Sequence, residues 1–335
     1  MRITNSALSG LLILATTAAL AQAPVQHGKL IGPRGGLSLS RKPTIESADD
    51  VSAAPSLTPA AVAVIDFGTI DFPGASDSAA NFINDRGEYV GGYGPGLEVS
   101  ISNSGFYLAN DSFRKINFPG AAFTDPFGLN NVGEIVGSYT DGAGTCHGFS
   151  LVGRTYTGID FPGSDCTQLD GVADSGEIVG LYYNASSSVG HGFSLTGSTY
   201  TTLDVPGAAD TYPTGVNNAG DIVGEYIDSS GNYHGFSRLG AVLKTIDYPG
   251  AVYSAVFAVN EQGIMAGTYG DGAANIYEGF EHGFVYIKGE FVSVDVPFVG
   301  AGATWITGIN KYDEIVGQYF DTAGRIYGFT AKIAR

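Results

Sequence analysis

The sequence predicts an all-β fold, a six-bladed β-propeller with four-stranded antiparallel blades, and three observations lead to this prediction. First, one phrase recurs six times, and the residue that opens it lies at positions 70, 116, 159, 203, 246 and 294. The spacings of 46, 43, 44, 43 and 48 residues are typical of β-rich repeat arrays. Second, 50 Gly, 19 Tyr and 19 Phe against 2 Met favour short strands and tight turns over helices. Third, the last copy lacks a fourth strand, and the segment before the first copy can supply one.

Each repeat is predicted to form four short strands, as the copy from Thr124 to Pro162 illustrates. Its strands are expected at 127–129, 134–139, 147–152 and 155–161. An N-x-x-G turn joins the first two strands, where the Asn side chain bonds the backbone and the Gly supplies a positive φ. In the last copy Asp313 replaces this Gly, and Asp tolerates the same conformation. Four antiparallel strands per repeat are typical of a propeller blade.

A Val-Gly pair in the second strand of most copies indicates tight packing. Its glycines are Gly91, Gly137, Gly180, Gly224 and Gly317, and Ala266-Gly267 is the variant. A Gly inside a strand weakens the strand unless another backbone approaches it closely. We predict that the neighbouring blade provides this approach.

The ends of the repeat region predict a closed ring. The last copy has three strands and no fourth, whereas residues 62–72 form an extra strand before the first copy. This N-terminal strand can complete the final blade and leave no unpaired end. An open stack would need polar capping repeats, and the sequence contains none.

The first 61 residues precede the predicted propeller, which spans residues 62–335. Residues 1–21 have the pattern of a signal peptide, with Arg2, an apolar segment from Ala7 to Ala19 and an A-x-A site before Gln22. A retained N-terminal anchor is the alternative. Residues 22–61 are rich in Ala, Pro, Ser and Gly without a steady period, which is typical of a disordered linker. No other long apolar segment follows, so we expect a secreted or periplasmic protein without a membrane span.

The formal net charge of −17 limits the possible partners. An acidic surface repels nucleic acid and anionic lipid, so we expect no nucleic-acid partner. The sequence contains no phosphate-binding loop, dinucleotide fingerprint, nucleophile elbow or zinc-ligand cluster. We therefore expect no cofactor.

The blade topology places two kinds of loop on one face of the propeller. These are the D-x-P-G crossings from each blade to the next and the D-x-x-G loops between second and third strands. Propellers often bind ligands on such a face, which is an analogy at the level of the fold. Cys146 and Cys166 both fall there, and in an exported protein we expect them to form a disulfide. Two unpaired buried thiols are the alternative.

Two sets of polar residues recur about once per blade on this face. The histidines of the H-G-F motif are His147, His191, His234 and His282. The aspartates before Pro-Gly, or before its equivalent, are Asp71, Asp160, Asp204, Asp247 and Asp295. One imidazole per blade is too widely spaced for a shared metal ion, so we predict that each His bonds a carbonyl or the nearby Asp of its own blade. Each Asp is expected to cap its turn, and we expect no metal site.

The least repetitive residues are aromatic, and they follow the crossings. We predict that ligand contacts are made by Trp305, Tyr212, Tyr253, Phe127 and Phe257. Aromatic rings beside Asp and Asn suit neutral sugars, whose C–H faces stack on rings and whose hydroxyls need acceptors. Packing at the tops of the blades is the alternative.

The phrase G-[IVL]-N-x-x-G-E-I-V-G-x-Y followed by H-G-F resembles the repeat of the HAF family of predicted bacterial extracellular proteins. The resemblance covers about Ile70 to Phe329, with Gly in place of the family's Ala throughout. The first copy has Ser104 and the last has Tyr327 where the family has His. The resemblance implies export and a repeat architecture, and it supplies no functional residues.

These observations favour a non-catalytic binding module, exported and monomeric, for a glycan or an extracellular surface protein. The alternatives are a propeller hydrolase or lyase that acts on a polysaccharide, and a purely structural secreted protein. The enzyme would need two or three unlike polar side chains at the mouth of the channel, which similar blades disfavour.

Overall fold

A computed structural model of the chain describes residues 62–94, 104–184, 189–271 and 281–334. These residues form 24 strands in six four-stranded antiparallel sheets, which are the blades of a propeller. The predicted fold class is therefore confirmed. The predicted signal peptide (1–21) and linker (22–61) lie outside the described residues. None of the described residues belongs to a helix long and apolar enough to cross a membrane.

The blades follow one another along the chain, and each begins with its innermost strand. Blade 1 comprises β2 (Asp77–Ile83), β3 (Tyr89–Gly94), β4 (Ser104–Ala109) and β5 (Ser112–Ile116). Blade 2 comprises β6 (Phe123–Leu129), β7 (Glu134–Thr140), β8 (Cys146–Val152) and β9 (Thr155–Ile159). Blade 3 comprises β10 (Cys166–Val172), β11 (Ile178–Tyr183), β12 (Gly190–Thr196) and β13 (Thr199–Thr202). Blade 4 comprises β14 (Asp210–Val216), β15 (Ile222–Ile227), β16 (Tyr233–Leu239) and β17 (Val242–Ile246). Blade 5 comprises β18 (Tyr253–Val259), β19 (Met265–Gly270), β20 (Glu281–Ile287) and β21 (Glu290–Val294).

Blade 6 closes the ring with a strand from the other end of the chain. Its sheet contains β22 (Ala301–Ile309), β23 (Glu314–Asp321), β24 (Ile326–Ala334) and β1 (Ala63–Ile70). β1 pairs antiparallel with β24, from Ala63 opposite Ala334 to Ile70 opposite Gly328. The predicted closure is confirmed, and it gives the last blade the same four strands as the others.

Each blade is centred on the Phe of its H-G-F-like motif. These residues are Phe106, Phe149, Phe193, Phe236, Phe284 and Phe329, and all six are buried. Burying one such side chain contributes about 1.5–3 kcal/mol. The repeat therefore supplies one core residue of the same kind to each of the six sheets.

Every innermost strand carries a β-bulge at the same position. The register against the second strand shifts around one extra residue in each blade. The residues at the bulges are Asn81, Phe127, Asp170, Thr214, Phe257 and Thr307, and all six line a cavity on the axis of the ring. The bulge thus brings one side chain per blade to the axis.

The packing around the strand glycines differs from the prediction. A Cβ on Gly137 would collide with the carbonyl oxygen of Asp125, which belongs to the bulged first strand of the same blade. The other Val-Gly copies meet the equivalent carbonyl, so the predicted role of the neighbouring blade is wrong. The neighbouring blade instead approaches the Gly of the H-G-F motif: a Cβ on Gly105 would meet the ring of Pro126.

The N-x-x-G turns close themselves and also join adjacent blades. Asn84 Oδ1 accepts the N–H groups of Arg86 and Glu88 at 2.9 and 3.1 Å, which closes its own turn. Its Nδ2 donates to the carbonyl oxygen of Asn130 in blade 2 at 3.2 Å. Equivalent bonds run from Asn130 to Ala173, from Asn217 to Asn260, from Asn260 to Asn310 and from Asn310 to Asn84. Blade 3 has Ala173 at this position and provides only the acceptor.

A second set of contacts runs around the same face, through the residue that follows each turn Asn. Asn131 Nδ2 donates to Asp85 at 2.8 Å and to Asp174 at 3.0 Å, and Asn218 Nδ2 donates to Asp174 at 2.9 Å. Lys311 of blade 6 contacts Asp85 of blade 1, with 3.4 Å between Nζ and Oδ2. We call this side of the propeller the turn face. Asp313, which replaces Gly in the last turn, has a φ of 66°, as its sequence position predicts.

The inter-blade bond predicts the outcome of replacing a turn Asn. Asn260→Ala removes the donor to Asn310 O and the acceptor for two turn N–H groups. We expect the free energy of unfolding in urea to fall by about 1–3 kcal/mol, because buried backbone groups lose partners. Gln262→Ala in the same turn is the control, since Gln262 is exposed and should change stability by less than about 0.5 kcal/mol. Equal effects of the two variants would contradict the inter-blade role.

Candidate functional site

The opposite side of the propeller, here called the crossing face, carries the D-x-P-G crossings. In the first crossing Ala75 N donates to Phe72 O at 3.1 Å, and Gly74 adopts a φ of 83°. Phe72 N donates to the hydroxyl of Ser78 in the next strand at 2.9 Å. The other crossings use Ser or Thr in the same way, at 2.9–3.2 Å. Each crossing is therefore anchored to the blade that it enters.

Rings and a carboxylate meet where each crossing passes over a blade. In blade 2 the ring of Phe118 stacks on Tyr139 with centroids 3.7 Å apart, and Tyr139 stacks on His147 at 5.0 Å. His147 Nδ1 lies 2.9 Å from Asp160 Oδ2. We call this set of a stacked Tyr, a His and an Asp a rim station.

Rim stations occur in four consecutive blades. The His–Asp pairs of blades 3, 4 and 5 are His191–Asp204, His234–Asp247 and His282–Asp295, at 2.8–2.9 Å. Their stacked tyrosines are Tyr182, Tyr226 and Tyr269. The His side chains are 24–30% exposed and the Asp side chains 40–52%, so the polar ends of all four stations reach solvent. Blade 6 has Tyr327 stacked on Tyr319 instead, and blade 1 has Ser104 in place of His.

The D-x-x-G loops add a second carboxylate to three of the stations. Asp141, Asp228 and Asp271 lie 3.5–3.7 Å from Nε2 of the station His. Asp141 Oδ1 accepts the N–H groups of Ala143 and Thr145, so this loop is a self-closed turn. The backbone N–H of Thr145 is the main reason why the pKa of Asp141 is lowered. Burial acts to lower the pKa of His234, but Asp247 and Asp228 outweigh it and the pKa is raised.

The five aromatic residues predicted to contact a ligand do not lie on the open crossing face. Trp305, Phe257, Tyr212 and Phe127 are 1%, 4%, 6% and 7% exposed, and Tyr253 is half-buried. All five belong to innermost strands around the axis. Trp305 packs edge-on against Phe320 at 4.8 Å. Their role in binding stays a prediction. The structure places all five in the packing around the axis.

Phe127 and Phe257 meet at the axial cavity. Its lining also includes Asn81, Asp170 and Thr214, together with Phe82 and Thr307. Its volume of about 30 Å³ accommodates one or two water-sized occupants and no sugar ring. The narrow part of the channel is therefore not an open glycan pocket.

Buried carboxyl groups, of which Asp170 lines the axial cavity, are the feature that the sequence reasoning missed. Asp125, Asp170, Glu225 and Glu281 are buried, and each has one oxygen without a hydrogen-bond partner among the described residues. Burial raises the pKa of Asp170 and of Glu281 to about 8, and it raises the pKa of Asp125 and Glu225 well above the ordinary range. Asp170 adds to the rise at Glu225, which shows that blades 3 and 4 share this environment. A signal was present for Asp125 and Asp170: aligned innermost strands differ between copies at these two positions.

The two cysteines join neighbouring blades. Cys146 in β8 and Cys166 in β10 form a disulfide, with their Cα atoms 4.8 Å apart. The predicted pairing is confirmed. It links blade 2 to blade 3, and bonds of this kind persist in oxidising compartments. Within the described residues, no group of three or more His, Cys, Asp or Glu side chains is placed to hold a metal ion.

Comparisons with known proteins support the fold. Protein-family models give no match, and neither do curated protein sequences. Solved structures do match. A mutant of AofleA from Arthrobotrys oligospora is 10% identical with a TM-score of 0.50, over 84% of this chain and 88% of that one. A mutant of Aleuria aurantia lectin in complex with Fucα1-6GlcNAc is 9% identical with a TM-score of 0.47, over 78% and 95%. At such identity a likeness shows the fold alone.

The burial of Trp305 predicts a large loss of stability on truncation. We expect Trp305→Ala to lower the free energy of unfolding by about 3–5 kcal/mol, because it leaves a cavity beside Phe320. Tyr312→Ala, which removes an exposed ring on the turn face, is the control and should change it by less than about 0.5 kcal/mol. Thermal and urea unfolding measure both. An unchanged melting temperature in Trp305→Ala would contradict the buried placement.

The raised pKa of Glu281 predicts a pH-dependent stability. Between pH 4.5 and about 8 this carboxyl is protonated in the folded chain and ionised in the unfolded chain. Its contribution is therefore fully present below pH 4.5 and is lost as the pH rises towards 8. We expect Glu281→Gln to reduce the downward slope of stability by about 1.4 kcal/mol per pH unit in urea titrations. The exposed Glu290→Gln in the same blade should leave the slope unchanged, and a similar slope in Glu281→Gln would refute the assignment.

Proposed function

We propose that this chain is an exported, non-catalytic binding module that holds a glycan on its crossing face. The observation that carries this proposal is the rim station, repeated in four consecutive blades. Each station combines stacked rings with a partly exposed carboxylate. This pairing is the chemistry that sugars require.

The station offers two kinds of contact to a sugar. The outer edges of Tyr139 and His147 provide an apolar surface on which C–H groups can pack. Asp160, 46% exposed, has oxygen lone pairs left to accept hydroxyl protons. Because the protein is strongly acidic, neutral or basic glycans are favoured over acidic ones.

Repetition strengthens weak contacts. A single station is a shallow site, and a shallow site with one carboxylate and two rings binds weakly. Four stations on one rigid ring can engage one branched or repeating glycan together, and linked sites raise avidity by about 10²–10⁴ over a single site. The proposal therefore expects a polymeric or multi-branched ligand.

Export is part of the proposal and is supported by two features. The first is the leader pattern of residues 1–21. The second is the inter-blade disulfide between Cys146 and Cys166, which suits an oxidising compartment. Detection of Gln22 as the N-terminus of the exported protein by mass spectrometry would support the leader.

A hydrolase or lyase is the second candidate, and two buried acidic residues favour it. Asp170 and Glu225 come from different blades, are unlike in their surroundings and have raised pKa values, which a general acid needs. Both side chains are buried, and the cavity that Asp170 lines is smaller than a sugar ring. The geometry therefore favours binding over catalysis.

Blade 1 supplies the design of the test, because it folds without a complete station. Converting His191→Ser and Asp204→Asn copies the Ser104 and Asn117 of blade 1. We expect each converted station to lower the apparent affinity for a binding polysaccharide roughly 5- to 10-fold and four conversions to abolish binding. Glycan arrays and titration calorimetry measure binding, with melting temperature as the folding check.

The control and the contrary outcomes are as follows. Gln262→Ala on the turn face should bind as the wild type does. Unchanged binding after four conversions would place the glycan elsewhere, and release of reducing ends would establish the enzyme instead. Failure of the wild type to bind any glycan would leave a protein partner or a structural role.

A further inference from the structure

We propose that the axial cavity binds one dehydrated monovalent cation of about the size of potassium or ammonium, with Asp170 as its charged ligand. This inference concerns the narrow centre of the ring and does not depend on the proposed glycan binding.

The six bulge residues surround the cavity in a definite order. Phe127 of blade 2 and Phe257 of blade 5 stand on opposite sides of the six-bladed ring. The remaining positions around the axis carry oxygen-bearing side chains, namely Asn81, Asp170, Thr214 and Thr307. Aromatic faces and oxygen atoms are both suitable neighbours for a cation.

Thr214 and Thr307 use their hydroxyl protons in hydrogen bonds to backbone carbonyl groups. Thr214 Oγ1 donates to Val256 O, and Thr307 Oγ1 donates to Ala80 O, each at 2.8 Å. A hydroxyl has one proton, so what these two oxygens retain are lone pairs.

The amide of Asn81 is in the same situation. Its Nδ2 donates to Pro126 O at 2.8 Å and to Asp125 Oδ1 at 3.0 Å, so its remaining polar atom is the acceptor Oδ1. The polar lining of the cavity is thus left with acceptors, which suits a cation or a hydrogen-bond donor and repels an anion.

Asp170 contributes the charge. Its Oδ1 accepts from Gln168 Nε2 at 2.5 Å, whereas its Oδ2 is buried and has no partner in the described part of the chain. An ionised carboxylate in such a place needs a counter-charge. A cation in the cavity would supply it.

Charge and volume together select the kind of ion. A single carboxyl lines the cavity, which balances one positive charge, whereas Ca²⁺ sites collect six to eight oxygens with several carboxylates. The cavity volume of about 30 Å³ has room for one or two water-sized occupants. An ion with its full hydration shell, or a tetramethylammonium ion, is larger than this.

The test compares chloride salts of different cations at equal ionic strength. We expect potassium chloride or ammonium chloride to raise the melting temperature of the wild type saturably, by about 2–4 °C relative to tetramethylammonium chloride. Asp170→Asn should lose this difference. Glu281→Gln should keep it, because Glu281 is also deeply buried but does not line the cavity.

A direct measurement covers the case in which Asp170→Asn fails to fold. With ¹⁵N-ammonium, a bound ion in the wild type should give a proton signal that is distinct from free ammonium and is displaced by potassium chloride. Absence of such a signal together with equal stabilisation by all three salts would overturn the proposal and leave a trapped water beside a protonated Asp170. Persistence of the cation-specific shift in Asp170→Asn, or its loss in Glu281→Gln, would also overturn it.

Discussion

The bond from one turn Asn to the carbonyl of the next blade is the contact on which the ring depends. Strand ends at the turn face carry backbone groups that neighbouring blades shield from water, and unpaired buried groups cost about 1–3 kcal/mol each. The turn Asn pairs backbone groups of two blades: Asn84 Oδ1 accepts an N–H group of its own turn, and Nδ2 donates to Asn130 O in the next blade. Because the same geometry recurs in five blades, each of these five blades fixes the angle of the next, and blade 3 takes part only as an acceptor. The bond from Asn310 to Asn84 joins the last blade to the first, where the pairing of β1 with β24 also closes the ring.

The turn face is similar in all copies, so the copies differ mainly in the other parts of each blade. The innermost strand is bulged at one position, and the bulge turns its side chain to the axis without altering the outer three strands. Copies can therefore place Asp170, Thr214 or Phe257 at that position within the same blade architecture. The bulge residues at the axis differ between copies, whereas the rim stations of the crossing face are nearly identical and partly exposed.

The sequence predicted the repeat, the four strands per blade, the closing strand and the disulfide, because each leaves a periodic or paired signal along the chain. It did not predict the reason for the Val-Gly pair, since the bulge that directs the Asp125 carbonyl onto Gly137 interrupts the alternation of the strand. It also placed Trp305 on an open face, because following a crossing in sequence does not tell whether a side chain points outwards or between blades. The buried acids leave no periodic signal either, because Asp170 and Glu225 occupy positions where the copies differ.

In this molecule the carboxyl groups that differ between blades are buried, whereas the polar groups that reach solvent are repeated from blade to blade. This difference bears on function. Catalysis needs unlike groups that reach one substrate, and the unlike carboxyls Asp170 and Glu225 are buried. The groups that reach solvent, such as the pair of His234 and Asp247, are repeated from blade to blade. Repetition adds little to a reaction at one bond, but it multiplies the contacts available to a repeating ligand. An enclosed acid, in turn, can stabilise the ring only if a proton or a cation neutralises it. The rim is thus suited to binding many similar groups, and the axis to holding one small positive charge.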